Sequence, residues 1–536
     1  MSTGRNPYLP LNEYVPDSEP HVFGDRVYVY GSHDKEDGET YCMLDYVCYS
    51  ASVYDLTDWK YEGVIYKASR DPDYGLENSP YSPVVRTYLY APDVVRGNDG
   101  RYYLYYCLSG YLGEGGYHGP ISVAVCDEPA GEYEYLGYVR NADKTPLRKG
   151  VCFDPAVIND EGTIRLYYGA SYPFEEEEGF ASDEDLIQTE MKMFNKTRDE
   201  ILEGYENISV MGAYTVELKD DMLTVKGDAH PIIPYKTRGT DFEAHPFYEG
   251  SSIRRIGNKY YFVYSSLQNH ELCYATSDHP DRDYSFGGTI VSNGDIGING
   301  RREDERLNMT GTTHGGIECI NGKWYVFYHR LTHKSDYSRQ GCAEPFEIGE
   351  DGRIKQVPIT SQGLNIDPLP AKGEYPAVIC CILTNGKMPH GSNKKYDEIF
   401  PHVGSDGKER FLNEVTDGSL IGYRYFNFQS LSNIWLVTDE IKDGIVEIYD
   451  NLPKEYCAEG DVPGELVETI SLKDDNKETT EKQGWYRYKS SIINEKLRGI
   501  SPLFFIYRGQ EQLRILSIGF EDKRDEGIQI LRLGKS

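Results

Sequence analysis

Aromatic residues alternating with smaller or polar ones, each run entered through a short turn, recur along the first two thirds of the chain. The five copies read Phe23-Gly-Asp-Arg-Val-Tyr-Val-Tyr30, Asn98-Asp-Gly-Arg-Tyr-Tyr-Leu-Tyr105, Asn159-Asp-Glu-Gly-Thr-Ile-Arg-Leu-Tyr167, Gly257-Asn-Lys-Tyr-Tyr-Phe-Val-Tyr264 and Asn321-Gly-Lys-Trp-Tyr-Val-Phe-Tyr328. A Gly- or Asn-bearing turn followed by a period-two aromatic run is a hairpin signature. Matched positions (Tyr28, Tyr103, Arg165, Tyr261, Tyr325) lie roughly 60 to 95 residues apart, longer than the ~40 to 50 of common propeller repeats but compatible with four-stranded blades carrying loop insertions. The pattern predicts an all-β protein opening with a five-bladed β-propeller.

An ionisable residue stands about ten to twelve positions before each matched position: Asp17, Asp93, Asp154, Glu249 and His314. Innermost strands of propeller blades line a central channel, so residues at equivalent places converge on the axis. Scattered acids are normally just solvated. Acids recurring in register with a repeat are instead expected to meet in one cavity, where ionisable clusters tend to be functional. In the first copy Glu19 competes with Asp17; the register favours Asp17, and Glu19 stands in reserve.

Outside the repeats, Gly110-Tyr-Leu-Gly-Glu-Gly-Gly-Tyr-His-Gly119 lies between two strand-like runs and has no helix after it. A phosphate loop needs that helix, so the stretch reads as a long flexible connection at the rim. The helical pattern starts at Ser182-Asp-Glu-Asp185, continues through Leu186, Met191, Met193, Phe194 and Ile201, and ends near Gly204; it reads as an insertion. The blade pattern stops around Pro368 to Tyr396. Shorter strand-like runs follow without helices, which predicts a jelly-roll-like β-sandwich. The expected organisation is a propeller over 1–370, a linker over 371–396 and a sandwich over 397–536.

Charge and cysteine usage narrow the partners. The 536 residues carry a formal net charge of −31, which disfavours nucleic acid and anionic membranes and suits a neutral oligosaccharide. The start of the chain lacks the apolar stretch of a signal peptide, and the 11 cysteines form no Cys-x-x-Cys pair. Reduced thiols and a cytoplasmic location follow as expectations. The 47 tyrosines suit a strand-rich fold and supply faces on which sugars stack. Trp435 and Trp485 fit either a sugar platform or a sandwich core.

Ala91-Pro-Asp93, Phe153-Asp-Pro155, Tyr248-Glu-Gly-Ser-Ser-Ile-Arg254, Tyr54-Asp-Leu-Thr-Asp-Trp59 and Thr313-His-Gly-Gly316 together resemble glycoside hydrolase family 43, which includes β-xylosidases and α-L-arabinofuranosidases. The likeness covers roughly residues 8 to 360. It implies Asp17 as general base, Asp154 as the residue that orients the acid and adjusts its pKa, and Glu249 as general acid. It further implies Asp93 as a sugar contact, His314 beside an axial ion or the substrate, and Arg339 as a substrate contact. The first motif is Asp17-Ser18-Glu19 where the family usually shows Asp-Pro, and Tyr90 stands where Trp is common. The tail, through Tyr423-Arg-Tyr-Phe-Asn-Phe428 and Trp485-Tyr486, is similar to carbohydrate-binding modules of the family 6 type.

The chemistry asks for the same residue types. Inverting glycoside hydrolysis pairs a protonated carboxylic acid with a carboxylate that activates water, about 6.5 to 9.5 Å away. A third carboxylate beside the acid raises its pKa by like-charge repulsion. The expected activity is exo-hydrolysis releasing xylose or arabinose from short plant-derived oligosaccharides. No cofactor is required, with calcium or another hard ion as a candidate occupant of the channel. A glycoside phosphorylase on a similar propeller and a non-catalytic sugar-binding protein are the alternatives.

Overall fold

The computed structural model describes residues 3–172, 183–203, 209–429, 431–441, 443–491 and 497–522. Five antiparallel sheets follow one another along the chain, each built by hairpin succession. The first four have four strands and open with Glu19–Phe23, Tyr88–Arg96, Ala156–Asp160 and Phe247–Ile256; the fifth has three and opens with Ile317–Ile320. The opening strands touch in cyclic order, first to second, third, fourth and fifth, and fifth back to first. Residues before the first sheet bond residues of the fifth. Tyr8 N donates to Gly341 O at 3.2 Å, the Asn6 side chain bonds Ala343 through both its amide nitrogen and its oxygen, and Ser18 bridges Gly315 in parallel.

The aromatic runs form the second strands, and they are buried more completely than alternation predicts. Every residue from Tyr103 to Ser109 and from Tyr260 to Ser266 is buried. Each sheet is covered by a neighbour on both faces, so both sets of side chains enter a core. Tyr and Phe suit that position because a ring fills the inter-sheet space while a hydroxyl reaches a carbonyl, as Tyr167 does at Pro280 O (2.6 Å) and Tyr105 at Met222 O (2.7 Å).

The predicted insertion helix is two helices, Asp183–Met193 and Arg198–Leu202. The second has its own capping box, Thr197 with Glu200, which satisfies free backbone donors at a new N-terminus. Leu186, Ile187, Phe194 and Ile201 pack on the second and third sheets. The expected ends, Ser182 and Gly204, lie outside the described residues.

The segment read as a linker, 371–396, is instead woven into the C-terminal sheets. Gly373–Pro376 pairs with Leu513–Asp522, and Ile382–Thr384 pairs with Leu420–Phe428. Gly373 and Pro376 stand at the two ends of one of these short strands, where no central ladder is interrupted. Two larger sheets share one core that includes Tyr423, Phe426, Phe505, Ile434, Ile518 and Phe520. Trp435 and Trp485 are buried, with the Arg487 and Arg514 guanidiniums over their rings at 4.3 and 5.4 Å; neither presents an open stacking face. All eleven cysteines are unpaired, and no helix among the described residues is long and apolar enough to cross a membrane.

Candidate active site

Strand pairing fixes which residues stand level around the axis. Tyr28, Tyr103, Arg165, Tyr261 and Tyr325 face His21, Val95, Ile158, Arg254 and Glu318 across their hairpins. These five line a cavity at one end of the ring. Two residues earlier, on the same side of each strand, come Glu19, Asp93, Ala156, Ser252 and Gly316. Earlier still are Asp17, Asp154, Glu249 and His314, which line a second pocket.

Asp93 is therefore one tier below its expected place. The opening strand of the second sheet has an irregularity between Tyr90 and Asp93, as the fourth has between Glu249 and Ser252. Tyr90 pairs with Cys107 and Glu249 with Ser265, each the same step beyond the aromatic landmark, so Tyr90 is the counterpart of Glu249. A bulge adds a residue on one strand, and counting residues in sequence passes over it. The Asp93 carboxylate does not line the pocket: it accepts from Val94 N (2.7 Å) and Val157 N (2.6 Å) and bonds His21 Nε2 (2.6 Å). Glu19, the reserve base, shares this tier, held by Arg254 Nη1 at 2.7 Å and Ser252 Oγ at 3.0 Å. Gly316 permits the approach, since a Cβ there would meet Glu19 Oε2 at 2.4 Å.

The upper tier holds three carboxyls, and Asp17 is shifted in the direction opposite to Asp154 and Glu249. Arg339 grips Asp17 at 2.9 and 3.1 Å and, through Nε and Nη2, also grips Asp34 at 2.8 and 3.0 Å. His329 Nδ1 is 3.2 Å and His314 Nδ1 3.8 Å from Asp17. Burial alone would raise the Asp17 carboxyl, but Arg339 and the two histidines outweigh it and hold it far below the usual range. Glu249 has no such partner. Burial and the Asp17 charge push it up to about 8. Asp154 is also driven upward, by burial, Glu249 and Asp17. Its Oδ2 accepts the Gly250 amide at 3.0 Å, which favours the ionised form, whereas Glu249 accepts no hydrogen bond among the described residues. Both carboxyls are driven toward the protonated form, and they titrate as one coupled pair. His314 is neutral, its pKa lowered by burial to about 4. Gly250, at φ +76° with its Cβ direction 3.1 Å from the His314 ring, lets the two inner strands meet here.

Aromatic walls complete the pocket: Tyr41, Tyr90, Tyr117, Phe153 and Tyr248, with Leu112. The cavity they enclose is narrow, about 40 Å³. Sequence reasoning missed most of this wall. Leu112 and Tyr117 come from the glycine-rich loop, which is not a loose rim connection. Leu112 N donates to Thr40 Oγ1 at 3.0 Å and Arg86 Nη1 to Gly119 O at 3.1 Å. Asp34 and His329 also escaped notice; both stand outside the recurring register, and no local motif marks them. Arg339 lies in the pocket lining, as the sequence places it.

Among the described residues, two groups of ligating side chains have their donor atoms close together, His245 with Glu271 and Cys273, and Glu19 with His21 and Asp93. His314 belongs to neither, and calcium draws on six to eight oxygens.

The profile of the family described as glycosyl hydrolases family 43 matches residues 5–197. A xylosidase/arabinosidase of Thermoclostridium stercorarium is 40% identical over 519 residues, covering 94% of this chain and 96% of its own. A β-xylosidase of Xylanibacter ruminicola is 27% identical over 367 residues, covering 65% of this chain and 98% of its own. A solved arabinoxylan arabinofuranohydrolase from Bacillus subtilis aligns over 97% of this chain and 99% of its own, with a TM-score of 0.47 and 18% identity. A chain with one carboxyl kept ionised and another kept protonated in an aromatic pocket, and with a 40% identical relative along nearly its whole length, is a glycosidase belonging to glycosyl hydrolase family 43.

Proposed function

We propose that this protein is an inverting, exo-acting glycosidase that releases a pentose, xylose or arabinose, from short plant-derived oligosaccharides. In this reading the five sheets are blades of a propeller, supported by the cyclic contacts of their opening strands, and the two C-terminal sheets form a sandwich around their common core. Glu249 gives its proton to the leaving oxygen and Asp17 takes one from the attacking water. Asp154 sets the proton on Glu249, and His314, within 3.8 Å of both Asp17 and Asp154, fixes the spacing of the acids beneath the sugar. The observation that carries the proposal is the split in protonation: Arg339 holds Asp17 ionised in the cavity where Glu249 stays protonated up to about pH 8.

The pentose is favoured by the named activities of the relatives and by the tightness of a pocket walled by five aromatic rings. Phosphorolysis is not favoured, because Arg339, the cation in the pocket lining, is already engaged by two aspartates. Unpaired cysteines suit a reducing, cytoplasmic setting, and the reading requires no cofactor.

The test is a panel of 4-nitrophenyl glycosides, β-D-xylopyranoside, α-L-arabinofuranoside and several hexosides, with the wild type, Asp17→Asn and Glu249→Gln. One pentoside is turned over, and Asp17→Asn abolishes that turnover. Glu249→Gln loses activity on natural xylo- or arabino-oligosaccharides, whose leaving groups need protonation. Proton NMR of the first-formed sugar shows the inverted anomer. Full activity of either variant on oligosaccharides, or a retained anomer, defeats the mechanism.

A further inference from the structure

Within the pocket lining, one residue comes from beyond residue 370: Asn393. It lies in a strap, Pro389 to Tyr396, that leaves the C-terminal sheets and crosses to loops of the fifth sheet. Both ends of the strap are tied down. On one side Thr310 N donates to Pro389 O at 3.1 Å, Gly391 N to Thr310 O at 3.2 Å, and Thr310 Oγ1 bonds His390 Nδ1 at 2.8 Å. On the other, Asp336 N donates to Lys394 O at 3.1 Å, Lys394 N to Asp336 Oδ2 at 3.0 Å, and Tyr396 N to Lys334 O at 2.9 Å.

Between these anchors Asn393 adopts φ +60°, a conformation Asn tolerates better than most residues. Its backbone N–H donates to Tyr41 Oη at 3.1 Å, and the Tyr41 ring lies 4.7 Å from the Arg339 guanidinium that grips Asp17. The backbone is thus fixed against the catalytic wall. The side-chain amide, by contrast, makes no hydrogen bond among the described residues, and Asn393 is exposed where it lines the pocket. A carboxamide offers two donors and an acceptor, the complement of a sugar hydroxyl, and the backbone that carries this one is fixed before any ligand arrives.

We propose that Asn393 is a substrate-binding residue whose amide hydrogen-bonds a ring hydroxyl of the terminal sugar, and that the strap is the wall that confines the pocket to chain ends. This rests on the glycosidase reading and adds to it a specificity determinant supplied by the C-terminal part of the chain. The bond is neutral, so its loss costs about fivefold to tenfold in kcat/KM, carried mainly by KM.

The experiment uses the full-length protein and compares wild type, Asn393→Gly and Asn393→Asp on the preferred 4-nitrophenyl pentoside and on analogues each lacking one ring hydroxyl. Glycine accepts the positive φ, so the backbone path survives; Asp keeps the shape and one acceptor if the glycine variant misfolds. For wild type, one deoxy analogue loses about as much as Asn393→Gly loses on the parent substrate, and on the variant that same analogue costs nothing further. Wild type inactive on every glycoside refutes the glycosidase reading itself. Wild type active with Asn393→Gly unchanged, or a variant penalty equal across all the deoxy analogues, overturns the assignment of Asn393 while leaving that reading intact.

Discussion

At the scale of single residues, the proposed mechanism depends on a difference in protonation set by one guanidinium. Arg339 is buried and bridges Asp17 and Asp34. Arg339→Met leaves both carboxylates buried without a cation and costs about 3 to 5 kcal/mol of stability, measured by urea denaturation. In whatever enzyme folds, the Asp17 carboxyl rises, and the acidic limb of the kcat/KM profile moves to higher pH. Glu249 sets the other limb. With its pKa near 8, activity falls as pH rises through that value, where the proton needed by the leaving group is lost. The same shift has a sign for folding. Glu249 titrates at about 4.5 in the unfolded chain and about 8 in the folded one, so between these values the native state holds the extra proton and stability declines as pH rises. Thermal unfolding of Glu249→Gln against wild type between pH 5 and pH 8 shows this decline in wild type and its reduction in the variant.

At the scale of elements, the tiers separate the acids that line the pocket from those held below it. Asp93 carries two backbone amides and His21 below the pocket; Asp93→Asn therefore lowers the melting temperature and leaves KM for the pentoside unchanged, whereas a sugar contact would raise KM. This is also where the sequence stopped being legible. The five hairpins and four of the five pocket-facing positions were readable, because an aromatic second strand and an ionisable residue before it recur at nearly constant spacing. Asp93 was misplaced because the bulge after Tyr90 is a backbone irregularity with no residue signature. The glycine-rich loop was read as mobile because its order comes from Thr40 and Arg86, distant in sequence. Asp34 and His329 became partners of the site only through folding: the Arg339 bond to Asp34 spans 305 residues of chain.

At the scale of the whole molecule, the C-terminal sheets are built into the first five rather than appended to them. Arg330 donates to the carbonyls of Cys380 and Cys381 at 3.1 Å each, Arg301 pairs with Asp461, and Arg424 with Asp295. One hydrophobic cluster contains Val326, Tyr328 and Cys342 of the fifth sheet together with Ile382, Leu420, Phe504 and Ile506. A shared core of this kind makes separate melting unfavourable. Scanning calorimetry of the intact chain shows one cooperative transition, and a fragment ending at residue 370, which would expose that cluster, is aggregated or inactive. Two transitions, with activity lost in only one of them, would show that the parts are independent.

The closing of the ring by Asn6 and Tyr8 against Gly341 and Ala343 has a consequence for synthesis. A ribosome delivers these residues before any of the five sheets, and their partners emerge only after four complete sheets have been made. The early segment must wait, unpaired, while the sheets between are translated, and Asp17 meets Arg339 only when it docks. Asp17 therefore lacks the cation that keeps it ionised until the fifth sheet is in place. A ribosome-bound nascent chain stalled before that point has no working site, however well its earlier sheets have formed.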